Sequence, residues 1–112
     1  MYAFGKGIEK DNDEAARWYK KAADQGFAEA QYNLGVMYSK GIAVKRNDLV
    51  AIKWYRKAAK QQHASAHYVL GAKYANGEGV PKDIKLAIEW FRKAAELGDE
   101  DADAAIRQLQ EN

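Results

Sequence analysis

An internal repeat of 36 residues constrains the fold of this chain more than any other feature of its sequence. Eight columns of the repeat hold the same residue in all three copies, and no insertion or deletion breaks the register. A period of this length is typical of stacked supersecondary units, not of a globule closed around one core. The identical columns are Tyr2, Tyr38 and Tyr74; Gly5, Gly41 and Gly77; Ala15, Ala51 and Ala87; Trp18, Trp54 and Trp90; Lys21, Lys57 and Lys93; Ala22, Ala58 and Ala94; Ala23, Ala59 and Ala95; and Ala30, Ala66 and Ala102.

Each unit predicts two helices. The second helix has an apolar stripe at i, i+3, i+4, i+7 and i+8, which places the stripe on one face. In the middle repeat the stripe consists of Ala51, Trp54, Tyr55, Ala58 and Ala59. Because the tryptophans recur in every copy at this spacing, we expect them to be core residues and not a ligand box or a platform for nucleic-acid bases.

The first helix of a unit has the same kind of spacing, and glycines stand beside its stripe. The stripe runs through Ala30, Leu34, Met37 and Tyr38 in one copy and is repeated one period later. Glycine inside a helix costs about 1 kcal/mol relative to alanine. The recurrence of Gly35 and Gly71 at this position therefore predicts close contact with a neighbouring helix.

Turn and capping residues separate the helices. An N-cap type of residue precedes the second helix of each unit, and Glu14 makes the first of these resemble a capping box. Glycine at the end of the second helix suits a left-handed closing residue, so Gln62 is a departure, as is Ala43 in a glycine column of the preceding loop. These substitutions predict a different local geometry in the middle repeat. The caps are Asp11, Asn47 and Asp83, and the closing positions are Gly26, Gln62 and Gly98.

The predicted fold is therefore all-α: an α/α superhelical solenoid, right-handed, built from 36-residue helix-turn-helix repeats with a C-terminal capping helix. We expect a single repeat array over residues 1–112, divided into a partial repeat 1–26, repeats 27–62 and 63–98, and a cap helix 99–112. Arg107 and Gln110 replace glycine and tyrosine in their columns, which suits a polar cap over the last apolar face.

Composition excludes several classes of protein. The chain has no cysteine, so it is neither a disulfide scaffold nor a thiolate zinc protein. Its net charge of +2 does not indicate nucleic-acid binding. No apolar run approaches the ~20 residues of a membrane span, and the opening Met1–Gly5 lacks the regions of a signal peptide. These features favour the cytoplasm and argue against membrane insertion, while a periplasmic location stays open for a piece of a longer protein.

The residues with chemical potential do not assemble into a recognisable active site. His63 and His67 are spaced to share a metal, but the other copies have no ligands in these columns. Ser65 lies two residues from each histidine. Helical neighbours at that spacing point to different sides, so Ser65 cannot form a hydrogen bond with either one. The glycines around Glu78 lack the lysine and hydroxyl of a phosphate-binding loop. We therefore expect no catalytic residues, no metal site and no cofactor.

Charge is distributed unevenly among the repeats. Residues 2–26 and 74–98 are each neutral, whereas residues 38–62 hold seven basic residues against Asp48 alone, a net charge of +6. The simplest interpretation is a solvated helix face. The functional interpretation is a surface that attracts an acidic partner, or the acidic segment Glu96–Asp103 of a second copy. The predicted basic patch consists of Lys53, Arg56, Lys57 and Lys60.

Two segments together resemble the Sel-one-like repeat (SLR) family. They are Ala30–Tyr38 followed by Gly41, and Gly77–Asp83 followed by the alanine, tryptophan and glycine columns of the second helix. The resemblance covers residues 2–109 and implies an α/α solenoid related to tetratricopeptide arrays, which keep a 34-residue period. It also implies a non-catalytic scaffold or adaptor that binds another protein on its concave surface, in bacterial signalling or envelope processes.

The resemblance leaves two alternatives. A secreted branch of the family binds penicillin, which implies a β-lactam-binding or hydrolytic enzyme, but the cysteine pairs of that branch are absent here. An inhibitor or immunity protein of a toxin enzyme is an alternative within the binding class. Self-association through the exposed face of the N-terminal repeat is a further expectation. Helical geometry places the partner-binding residues opposite the core stripe of the first helices. They are Tyr32, Asn33, Val36, Tyr68, Val69 and Ala72.

Overall fold

The computed structural model describes residues 6–111, with side chains from residue 12 onward. Within these residues the chain is all-α, as predicted. The helices are α1 (Lys6–Asp24), α2 (Ala28–Lys40), α3 (Asp48–Ala59), α4 (Ala64–Asn76), α5 (Ile84–Glu96) and α6 (Ala102–Glu111). The tyrosine and glycine columns at Tyr2 and Gly5 lie outside the described residues.

The helices stack in chain order into an elongated array of 44 × 27 × 26 Å. Each helix packs mainly on its neighbours in sequence, and the contacts within the pairs α2–α3 and α4–α5 are the most extensive. These pairs are the helix-turn-helix units that the period predicts. We call α2 and α4 first-type helices and α3 and α5 second-type helices. Among the described residues, α1 is a second-type helix with no first-type helix before it, and α6 is a first-type helix that covers α5.

The core follows the predicted stripes. Leu34 and Leu70 of the first-type helices are buried together with most of the alanine and aromatic columns of α3 and α5. The glycines inside the first-type helices are explained by aromatic rings. A Cβ atom on Gly35 would stand 2.7 Å from the Tyr55 ring, and one on Gly71 would stand 2.8 Å from the Phe91 ring. The predicted close contact is therefore helix backbone against an aromatic side chain.

The predicted caps form in the second and third units. The Asn47 side chain accepts a hydrogen bond from the Val50 N–H at 3.1 Å, and Asp83 accepts one from the Leu86 N–H at 3.0 Å. Each unpaired first-turn donor is thus satisfied by a side-chain oxygen. Gly41 ends its helix in the left-handed conformation with φ 70°, where alanine would be strained.

The prediction that the turns of the middle repeat have a different local geometry was wrong. Gln62 has φ 65° and Ala43 has φ 63°, so both adopt the left-handed conformation of their counterparts Gly98 and Gly79. The turn bonds are also kept, because the Gln62 N–H donates to the Ala59 carbonyl as the Gly98 N–H donates to Ala95. Packing between repeats determines the loop path, and the two non-glycine residues accommodate it at a local energetic cost.

The prediction that Asp11 caps the start of a helix was also wrong. The α1 helix begins at Lys6, so the backbone of Asp11 lies inside the helix. In the later repeats the loop before the second helix is held by a backbone bond, from Asn47 N–H to Tyr38 O and from Asp83 N–H to Tyr74 O. The corresponding carbonyl in the first repeat is that of Tyr2, outside the described residues.

The tryptophan column is core in the middle repeat and not in the first. Trp54 is 8% exposed and packs on Ala23, Ala30 and Leu34 of the preceding helices. Trp90 is half-buried against the neighbouring clusters. Trp18 is 68% exposed, since none of the described helices covers it as α1 and α2 cover Trp54.

Candidate partner-binding surfaces

A groove between α4, α5 and α6 is the first candidate site. It encloses a cavity of about 580 Å³. Small side chains of α4 leave the space open, and Phe91 of α5 forms part of the floor. Asn76, Lys82 and Gln108 supply polar groups at the groove. A cleft that combines apolar side chains with several polar groups is suited to hold an extended segment of a partner.

The corresponding space one repeat earlier is occupied by polar side chains. Ala75, Ile84 and Leu109 line the groove, and the same columns 36 residues earlier hold Ser39, Asp48 and Lys73. There the buried Lys73 Nζ donates to Ser39 Oγ at 2.7 Å and stands 3.9 Å from Asp48 Oδ1. The same place in the repeat is therefore an open groove between α4, α5 and α6 and a polar cluster one repeat earlier.

Two of the predicted partner-binding residues line the groove, and three others pack against the hydrophobic core. Tyr68 and Ala72 line the α4–α6 groove. Val36 and Val69 pack against the central hydrophobic cluster, and so does Tyr32, whose ring stacks on His63 at 4.8 Å. Each of these residues is half-buried, as is Asn33.

The buried tyrosines stay protonated at neutral pH. Burial raises the pKa of Tyr55 to about 12, and the nearby Tyr32 and Asp48 add to this, while a hydrogen bond from Ser39 opposes it. Burial also raises the pKa of Tyr32, with a further contribution from the carboxylates of Glu29 and Asp99. Neither hydroxyl is therefore suited to general-base chemistry near pH 7.

The histidines have structural roles. His63 Nδ1 accepts a hydrogen bond from the Ala66 N–H at 3.1 Å and so caps α4, while its Nε2 lies 2.8 Å from Glu29 Oε1. The buried His67 Nδ1 lies 2.9 Å from the His63 carbonyl. Among the described side chains, no three His, Asp or Glu residues are grouped as for a metal ion. The cap could have been predicted, because His63 directly precedes the first helical residue of its unit.

A second candidate surface lies where α3 meets the loop before α5. All four residues of the predicted basic patch line a cavity of about 350 Å³ there, together with Leu49, Ile52, Gly79 and Val80. Arg56 donates to the Tyr74 hydroxyl, and Lys57 Nζ lies 4.8 Å from the centroid of the Trp54 ring. Sequence reasoning located the charges and missed the apolar residues beside them, since Leu49 stands alone in a polar column with Asp13 and Lys85.

The comparisons with known proteins agree with this architecture. The family model described as Sel1 repeat matches residues 1–27, 28–63 and 64–99. No curated protein matches the chain. Within the described residues, no helix has both the length and the apolar character needed to cross a bilayer.

Three solved structures are similar to the chain. A Sel1 repeat protein from Oxalobacter formigenes is 50% identical with a TM-score of 0.79, over 84% of this chain and 39% of that one. The protective antigen c5321 of uropathogenic Escherichia coli, which displays an SLR fold, is 44% identical with a TM-score of 0.80, over 88% of this chain and 21% of that one. Cysteine-rich protein B of Helicobacter pylori is 32% identical with a TM-score of 0.76, over 80% and 68%. The chain thus spans less than half the length of the first two.

Proposed function

Because the chain belongs to the Sel1 repeat family, we propose that it is a non-catalytic protein-interaction module that holds a segment of a partner protein in the α4–α6 groove. Sel1 repeat proteins are in general protein-interaction modules. The groove is the observation that supports this role for the present chain, since Tyr68, Ala72 and Phe91 line it beside polar groups.

The chemistry of the groove indicates the kind of segment that fits. Its floor would bury one or two apolar side chains, which is the main source of affinity in such a cleft. Lys82 and the amides of Asn76 and Gln108 would bond to the backbone or to an acidic side chain of the segment. We propose bacterial signalling or envelope assembly as the setting, by analogy with the family.

A groove-narrowing variant tests this proposal. Ala72→Val with Ala105→Val installs the residues that the same columns hold one repeat earlier, Val36 and Val69, so the fold should tolerate them. Peptides selected by display against the parent should bind the variant at least about tenfold more weakly, because the added methyl groups fill the cleft. The exposed Ala104→Val is the matched control. Equal binding by parent and groove variant would contradict the proposal.

A second candidate is the β-lactam-binding or hydrolytic activity of the secreted branch. The observation that favours it is the contact between Ser39 Oγ and Lys73 Nζ at 2.7 Å, since serine–lysine pairs serve as nucleophile and base in some acyl-transfer enzymes. The burial of Lys73, 8% exposed, argues against access of a substrate. Nitrocefin turnover and Bocillin labelling decide between the two: we expect neither, and turnover lost in Ser39→Ala would establish the enzyme.

A further inference from the structure

We propose that the groove between α3 and the α4–α5 loop is a second docking surface, which binds an acidic segment of another protein through a bulky apolar side chain flanked by carboxylates. This basic groove is lined by Leu49, Val80 and the four residues of the basic patch. It shares no lining residue with the α4–α6 groove, so the inference stands independently of the proposed function.

The repeat shows which of the four charges are particular to the middle unit. The columns of Arg56 and Lys57 are basic in every copy and belong to the repeat. The columns of Lys53 and Lys60 are not, because the third copy has glutamate in both and the first copy has Asp24 in the latter. Two positions thus account for the difference between the middle helix and its relatives.

The middle repeat has Lys60 where the other two copies have an acidic residue, and this change leaves its basic residues without ion pairs. In the first copy Lys20 pairs with Asp24 at 3.2 Å, and in the third Lys93 pairs with Glu96 at 3.9 Å. Lys60 occupies this column in α3, and none of the four basic residues forms an ion pair with any residue whose side chain the structure describes. These four cations are therefore available to the carboxylates of another molecule.

Two of these side chains are already held in place. Arg56 is bonded to the Tyr74 hydroxyl, and Lys57 lies over the face of Trp54. Side chains that are ordered before binding lose less conformational entropy when a ligand arrives. The exposed Lys53 and Lys60 complete a positive rim, so the surface is suited to attract a negatively charged segment and to orient it.

The apolar component determines the class of ligand. Leu49 is 72% exposed, although its column holds Asp13 and Lys85 in the other copies. Together with the half-buried Val80 it provides an apolar wall beside the charges. A polyanion such as nucleic acid would neutralise the lysines and leave this leucine in water, whereas an acidic segment with an apolar side chain satisfies both.

A second copy of the chain satisfies only the electrostatic part. Its segment 96–103 is rich in carboxylates and has no basic residue. The apolar residue of that segment, Leu97, closes α5 and is half-buried. A second copy would therefore offer negative charge without a free apolar side chain, and we assign the groove to another protein.

The test uses a short fluorescein-labelled synthetic peptide with two leucines flanked by glutamates. We expect the chain to bind it, with affinity falling as salt rises from about 0.05 to about 0.5 M, over which the screening length shrinks from roughly 14 to roughly 4 Å. Lys53→Gln with Lys60→Gln should weaken binding by about tenfold, and Leu49→Ser by several-fold. Arg17→Gln with Lys20→Gln removes the same charge from α1 and is the matched control, expected to change affinity less than twofold.

Two altered peptides and two further measurements complete the test. Replacing the leucines by alanine, or the glutamates by glutamine, should each abolish most of the binding. Failure of the parent peptide to bind, or equal binding of its alanine form, would overturn the proposal. Tighter binding of single-stranded DNA, lost in the same lysine variant, would also overturn it. So would a salt-sensitive dimer seen by analytical ultracentrifugation and removed by that variant. Thermal melts establish that each variant is folded.

Discussion

Two residues of the middle repeat adopt the left-handed backbone conformation that glycine adopts elsewhere. Ala43 and Gln62 have φ of 63° and 65°, and their glycine counterparts Gly79 and Gly98 have φ of 78° and 102°. An L-residue in this conformation is strained because Cβ approaches a carbonyl oxygen. The array therefore contains two sites where strain results from sequence divergence in a conserved backbone path.

Replacing either residue by glycine should stabilise the chain. We expect Gln62→Gly and Ala43→Gly each to raise the free energy of unfolding by about 1 kcal/mol, because relief of the left-handed strain exceeds the entropy that glycine adds to the unfolded chain. Urea denaturation measures the change. Lys60→Gly is the control, because Lys60 is right-handed with φ −60° and should lose stability. A loss of stability in Gln62→Gly would contradict this account.

The buried polar cluster gives a second prediction at this scale. Lys73→Leu alone leaves the buried Asp48 Oδ1 without a nearby cation, although Arg46 still contacts Oδ2, and Asp48→Ile alone leaves the buried ammonium without its carboxylate. Each change should cost about 2 kcal/mol or more. The double variant reproduces the Ile84–Leu109 pair of the next repeat and should lie within about 1 kcal/mol of the parent.

A double-mutant cycle by urea denaturation measures this coupling. Additive losses, with the double variant as unstable as the sum of the single variants, would show that Lys73 and Asp48 do not compensate one another's burial.

Tyr55 predicts a pH dependence. Burial raises the pKa of its hydroxyl to about 12 from the ordinary value of 10.0. The protonated form is favoured in the folded state, so its stabilising contribution is complete below pH 10 and is lost as pH rises towards 12. Tyr55→Phe should reduce the fall in melting temperature over this window. Phe91 occupies the same column, so the ring should be tolerated. An unchanged alkaline profile would show that Tyr55 ionises equally in both states.

At the scale of a helix, burial depends on which neighbours are present. Trp54 and Trp18 occupy the same column, yet one is buried under α1 and α2 and the other faces solvent. The apolar stripe of α3 is therefore divided: its alanines and Tyr55 pack in a cluster with residues of α2 and α4, and Trp54 packs on α1 and α2.

The two tryptophans should differ in their contribution to stability. Trp54→Ala should cost about 3–5 kcal/mol, since it removes a large buried ring and leaves a cavity between repeats. Trp18→Ala should cost less than about 1 kcal/mol, because the ring is mostly in water. Chemical denaturation of both variants checks the difference. Equal losses would mean that the column has the same role in each unit.

At the scale of the molecule, the array is a one-dimensional stack whose ends differ. The α6 helix has Arg107 where Gly35 and Gly71 admit an aromatic ring, so its outer face does not present that site to a further helix. Its inner face packs Ala105, Ile106 and Leu109 on the last core cluster. The α6 helix thus covers the apolar surface of the last core cluster and lacks the small residue that admits an aromatic ring in α2 and α4.

The stack predicts a gradient of stability along the chain. The α3 and α4 helices lie in the middle of the described stack, whereas α1 and α6 lie at its ends and have extensive contacts on one side. Opening in such arrays begins at the ends, since stability is approximately a sum of nearest-neighbour terms. Hydrogen exchange should therefore be slowest in α3 and α4 and fastest in α1 and α6. Uniform protection would indicate a single cooperative unit instead.

The sequence by itself determined the period, the helix pairs, the caps at Asn47 and Asp83 and the turn glycines. These features arise from local chemistry: helical spacing, side-chain capping of first-turn donors and left-handed φ are properties of short segments, so they can be predicted from residues close together in the chain. The basic charges of α3 could be located for the same reason.

Only the tertiary structure decided how these segments meet. The exposure of Trp18 and the retained turn geometry at Gln62 each depend on which helix lies alongside. The two grooves depend on residues about 30 to 40 positions apart, such as Ala75 with Leu109, whose sizes determine whether a space stays open or is filled. The same place in the repeat thus holds a polar cluster between α2, α3 and α4 and a groove between α4, α5 and α6. The difference arises because the repeat pattern does not fix the volume and charge of these side chains, and packing depends on both.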